Sequence, residues 1–184
     1  MPNWCETSYI IEGDHKEIYD LYHLMHKLEH RKASLLPNGF GKRWLGNLVH
    51  ALGGDWKKVY CRGEWHDLQL VDKTLCYKVT AAWQEPFEVD RLLKEKYPSL
   101  RIFFMAEEEL LEYYKTNDIE GKYFPTRYTL YSEDYIIECS SSEALLTAAS
   151  EEYGVSFQDM PELNNYLGEH EDKGYYIEYK LVNR

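Results

Sequence analysis

The chain predicts an α+β fold, and three observations carry that expectation. Strand-type and helix-type apolar periods alternate along its 184 residues, with no linker rich in Pro, Gly or Ser. Asp72-Lys73 separates two alternating runs by two residues, the spacing of an antiparallel hairpin. The run Ile102-Phe103-Phe104-Met105 is apolar on both sides, so that strand requires cover on both faces.

Residues 3–12, "NWCETSYIIE", read as a first strand, aromatic and β-branched and closed by Gly13. Asp14 with Glu17 three residues on starts a helix that runs to about Arg31. On its wheel Ile18, Leu21, Leu24, Met25 and Leu28 share one side, opposite Asp20, His23, His26, Lys27 and His30. A second helix follows from about Lys42 to Leu52, since Trp44, Leu45, Leu48, Val49 and Leu52 recur at helical spacing before the stop Gly53-Gly54. "EWHDLQLV" and "TLCYKVTAAW" are the hairpin strands. Pro86 opens a helix that ends before Pro98, and "LRIFFMAEE" is the next strand. The order β-α-(insertion)-β-β-α-β is the split βαβ pattern of a ferredoxin-like sandwich.

In the last third, "FPTRYTLY" and "DYIIEC" predict a hairpin across Ser132-Glu133. Ser140 with Glu143 predicts a capped helix ending at Gly154, and Asp159 with Glu162 a shorter one ending at Gly168. "GYYIEYKLV" predicts a closing strand. The expected organisation is a ferredoxin-like domain over 1–122, with a helical insertion at about 32–63, and a β-β-α-α-β extension of the same sheet over 123–184.

Four stretches resemble one family: the opening "MPNWC", "WLGNLVHALGGDW", the strand-to-helix turn "TAAWQEP" and the passage "YPSLRIFFMAEEE". Together they are similar to the YubB-type ferredoxin-like domain family of bacterial, plasmid and phage proteins, over roughly residues 1–125. The resemblance implies the βαββαβ fold and a setting on mobile elements. It implies no catalytic residues, because that family has no assigned activity to carry over.

Composition narrows the function classes. Hydrophobic content of 44% supports a packed core, and no apolar run reaches the roughly 18–20 residues of a membrane helix. "MPNWCETSYI" lacks the basic and apolar regions of a signal peptide, and the four cysteines form no short-spaced framework, so a soluble cytoplasmic protein is expected. The net charge is −11, yet from Arg31 to Gly63 seven basic residues meet a single acid, Asp55. That window is +6 in an otherwise −17 chain.

Several chemical motifs fail on spacing. "PNGFGKRW" lacks the GxxxxGK[ST] of a phosphate loop, although Gly39 and Gly41 leave amides open beside two cations. "TNDIEGKYF" would put Arg127 where a calcium loop requires Glu. Ser140-Ser141-Ser142 is better read as a cap than as a nucleophile, and Glu107, Glu108, Glu109 and Glu112 as a solvated strand end. His23, His26 and His30 share a helix face, and Cys61, His66 and Cys76 flank the hairpin. Neither set brings a closed ligand shell with it, so no metal or cofactor is expected.

What remains is binding. Lys42, Arg43, Trp44, Trp56, Tyr60 and Arg62 are the expected contact residues, with Trp4 and Trp83 at opposite ends of the sheet and Trp83 as a core plug. The expected partner is a protein, including a second copy that offers its acidic C-terminal third. Nucleic acid bound by the basic Trp-rich insertion, or an acidic surface that imitates DNA, are the alternatives, and an enzyme ranks below them.

Overall fold

The computed structural model describes residues 3–37, 39–108, 113–132, 135–170 and 173–182. The fold is α+β, with five helices and two sheets among the described residues. The chain divides into two units, Met1–Tyr114 and Lys115–Arg184, earlier than the 122/123 division the sequence suggests. Among the described residues no helix is long and apolar enough to cross a membrane.

In the first unit the strands are β1 (Trp4–Glu12), β2 (Gly63–Val71), β3 (Thr74–Ala82) and β4 (Arg101–Glu108). Their order is β2-β3-β1-β4 with every neighbour antiparallel. The period of two shows in burial: Cys5, Thr7, Tyr9 and Ile11 point into the core, while Trp4 and Glu6 are exposed on the other face. Helix α1 (His15–Glu29) buries Ile18, Leu21, Met25 and Leu28, as its wheel predicts. Its capping differs from the expected reciprocal box. Asp14 accepts from Lys16 N at 2.9 Å, but Glu17 turns to the loop before β4 and accepts from Ser99 N and Oγ at 3.0 and 2.7 Å. A side chain expected to serve its own helix instead fastens two segments together. Helix α3 (Phe87–Lys96) adds Val89 and Leu93 to the same core, where Trp65 of β2 is fully buried. Each such apolar side chain contributes about 1.5–3 kcal/mol on burial.

Helix α2 (Leu45–Ala51) is shorter than the expected span from Lys42. Trp44 is extended and bridges Glu64 of β2, and Arg43 O accepts from Trp65 N at 3.1 Å, so the helix cannot begin before Leu45. The loop ahead of it is tied by Asn47, which has no exposed surface. The Asn47 amide donates to Gly41 O and Lys42 O, both at 3.0 Å, and its oxygen accepts from Leu36 N at 3.1 Å.

The C-terminal hairpin does not extend the first sheet as the sequence suggests. Strands β6 (Tyr128–Tyr131), β7 (Ile136–Cys139) and β8 (Tyr176–Tyr179) form a three-stranded antiparallel sheet of their own, in the order β7-β6-β8. Helices α4 (Ser142–Tyr153) and α5 (Met160–Glu169) cover it, and Leu130, Leu145, Ala149 and Leu163 make a separate core. The strands β5 (Tyr113–Thr116) and β9 (Leu181–Val182) pair in parallel at Lys115↔Leu181 and Thr116↔Val182. The cap of α4 is Ser141, not Ser140, and accepts from Ala144 N at 3.2 Å. Gly154 ends that helix at φ +67°, as the sequence suggests. Glu133 of the expected turn lies outside the described residues, as do Glu109 and Glu112 of the acidic run.

Candidate binding surface in the first unit

Antiparallel pairing decides what meets at one end of the first sheet. Trp4 at the start of β1 pairs with Ala82 at the end of β3, and Gly63 at the start of β2 pairs with Ala81. Trp83 follows directly, its N–H donating to Asn3 O at 2.8 Å. Trp4 and Trp83 therefore share one end, against the expectation that they lie at opposite ends. That expectation treated β1 and β3 as parallel, whereas a strand reached through an antiparallel hairpin from β2 must run against β1. Trp83 is not a core plug either: it sits at φ +73° with 46% of its surface exposed. Trp4 is 51% exposed and Phe87, opening α3 just beyond Trp83, is also exposed.

The insertion contributes the rest. Phe40, 58% exposed, stacks on Trp44 with ring centroids 5.5 Å apart. Trp44 itself is buried, and this corrects its assignment as a contact residue: its ring folds back over Gly46, where an added Cβ would stand 2.4 Å from the indole. It forms a floor. Trp56 meets that floor edge-on at 5.3 Å and carries the Lys57 ammonium 5.6 Å from its centroid. Tyr60 is half-buried and held at both ends, its hydroxyl donating to Ala82 O and its N–H to Glu88 Oε2. Burial pushes its phenol above the usual range. Lys42, Arg43 and Arg62 are exposed, and among the described residues no acid pairs with them.

These groups line adjoining hollows. One of about 330 Å³ is walled by Trp4, Phe40, Arg62, Glu64 and Thr80. Another, of about 630 Å³, runs over Trp44, Trp56, Lys57, Tyr60 and Arg62 and again includes Phe40. A third, of about 450 Å³, has Phe40 on one side and Glu29, His30, Lys42 and Arg43 around it. Phe40 is common to all three, and sequence reasoning missed it. The available signal was its setting: a large ring between two glycines, outside every periodic run, has no helix or strand face to bury it.

Beside Trp4 on the same sheet face, Glu6, His66 and Thr80 form a hydrogen-bonded tie across three strands. His66 Nε2 is 3.3 Å from Glu6 Oε2 and 3.2 Å from Thr80 Oγ1, and the Thr80 hydroxyl donates to Glu6. Cys61, by contrast, is buried with its thiol pushed up to about 11 by burial and then by Glu88, so it stays protonated. Among the described residues the one trio of His, Cys, Asp or Glu whose ligand atoms lie within 4.8 Å of one another is His26, Glu29 and His30. Cys61, His66 and Cys76 do not come together, and His23 stands apart from its two neighbours on the helix face.

A scan against protein families, a search of curated proteins and a search of solved structures each returned no match for this chain.

Proposed function

We propose that the chain is a non-catalytic binding module that grips an acidic polypeptide segment through the surface around Phe40 and Arg62. One observation carries this: the 330 and 630 Å³ hollows share those two residues, an exposed ring beside a cation that no acid pairs among the described residues. Aromatic anchors with Arg dominate the energetics of protein interfaces, and Lys42, Arg43 and Arg62 would steer an acidic segment toward them. The ferredoxin-like and YubB-type assignments, with a cytoplasmic and mobile-element setting, belong to the same proposal. The strand order β2-β3-β1-β4 with helices between β1 and β2 and between β3 and β4 supports the fold part.

A single-stranded nucleic acid is the second reading, favoured by the Lys57–Trp56 contact and by the exposed faces of Trp4 and Phe40, which suit base stacking. Net charge weighs against it, because a −11 chain repels a long polyanion more than a short acidic peptide. Fluorescence polarisation at low salt separates the two, with labelled Glu/Asp-rich peptides and an oligothymidine as probes. The expected result is peptide binding that Arg62→Glu with Phe40→Ala weakens about tenfold or more. Oligothymidine binding without peptide binding transfers the surface to nucleic acid, and peptide binding untouched by the double variant removes it as the contact site.

A further inference from the structure

We propose that the last turn of α1 is a site for a divalent transition metal, with His26, Glu29 and His30 as its ligands. Their ligand atoms already lie within 4.8 Å of one another. The residues stand at i, i+3 and i+4, so a single helical turn presents them on one face, and a His pair four apart is the spacing by which helices grip zinc.

The surroundings favour a ligand role for His30. Its Nδ1 lies 2.8 Å from the His26 carbonyl oxygen, which can only accept, so Nδ1 carries the proton. The lone pair is then on Nε2, and a backbone carbonyl behind a ligating imidazole is the usual supporting contact. Glu29 Oε1 approaches the ring from the Nδ1 side at 3.5 Å, so metal binding requires the carboxylate to swing toward Nε2. Glu29 supplies the negative charge, its side chain 17% exposed against 62% for His30. The His26 and His30 imidazoles lie side by side, stacked with centroids 4.0 Å apart. The carbonyl end of a helix carries partial negative charge, which adds attraction for a cation.

Two imidazoles and one carboxylate suit zinc, nickel or copper(II) rather than magnesium or calcium, which take oxygen ligands. Three protein ligands leave a tetrahedral ion one open position. Glu29 and His30 border the 450 Å³ hollow, so water or an anion reaches that position from the side of Lys42 and Arg43. The site does not depend on the peptide surface: neither requires the other to exist.

Isothermal titration of the full-length, tag-free chain with zinc tests the proposal, with cobalt(II) absorption as the second readout. One equivalent of zinc is expected to bind in the micromolar range or tighter. His26→Ala and His30→Ala should each weaken binding about tenfold or more and Glu29→Gln less, while His23→Ala leaves it unchanged. Far-UV circular dichroism checks that each variant folds, and cobalt should give tetrahedral bands without a thiolate charge-transfer band. Substoichiometric or millimolar binding overturns the site. So does a His23→Ala loss equal to that of His30→Ala, which would mark a diffuse histidine face, or a thiolate band, which would put the metal on cysteine.

Discussion

Asp90 carries a partly buried carboxyl that accepts from the Tyr9 hydroxyl at 3.3 Å in the wall of the first core. Burial pushes its pKa up to about 7, while the Tyr9 hydrogen bond and Lys94 pull it down and Glu85 pushes it further up. A group raised in the folded state holds its proton more tightly there than in the unfolded chain. Its contribution to stability is therefore complete below the unfolded value and is lost as pH rises through the folded one. Stability should fall between about pH 4 and 7 by an amount on the order of 3 kcal/mol, and Asp90→Asn should flatten that part of the profile. Urea unfolding of both proteins across this range checks it: parallel profiles would show that Asp90 is not the responsible group. At this scale the sequence is an uneven guide. Lys42, Arg43 and Arg62 are exposed as expected, because a cation without a buried partner has nowhere else to go. Trp44, expected at the contact surface, becomes the floor and Phe40, which had no expected role, becomes the rim, because the Trp44 ring packs over Gly46, which local pattern does not encode.

Among the elements, the insertion behaves as part of the core rather than as an appendage. Leu45, Leu48 and Val49 of α2 are buried with the residues of β1 and α1, so the apolar stripe read in the sequence is real. The loop that presents Phe40 and Lys42 depends on Asn47, a buried polar residue in a short helix that no motif flags. Asn47→Ala removes its bonds to Leu36, Gly41 and Lys42 and should cost about 2–3 kcal/mol. Hydrogen exchange should quicken first at Leu36, before the strands β1 and β3 respond. Uniform loss of protection across the unit would instead make Asn47 a global core residue. Element type was legible wherever the apolar period was long, as in α1 and the β2–β3 hairpin. Caps were less so: Glu17 and Ser141 take roles set by neighbours distant or adjacent in space.

Across the whole molecule, charge divides with the units. Lys115–Arg184 holds 14 acids and six bases, a net −8, leaving −3 on Met1–Tyr114 despite its +6 window. On the proposed reading, the acidic second unit of another copy would suit the Phe40–Arg62 surface. Light scattering at low salt should give a mass above 21.9 kDa that returns to the monomer value as salt rises. Lys42→Glu with Arg62→Glu should abolish the increase. A monomer at every salt concentration would exclude self-association and leave a separate partner as the occupant.

By itself the sequence determined the α+β class, the positions of the main helices and strands, and a local excess of positive charge. Those properties are short-range: periodicity, turn chemistry and charge are written in consecutive residues. Tertiary structure alone decided that Trp4 and Trp83 share one end, that Trp44 is buried beneath Phe40, and that Glu29 rather than His23 joins His26 and His30. It also decided that the C-terminal hairpin builds a second sheet. Each of these depends on strand direction, side-chain rotamer or the choice of pairing partner, and such contacts between distant residues leave no periodic trace in the chain.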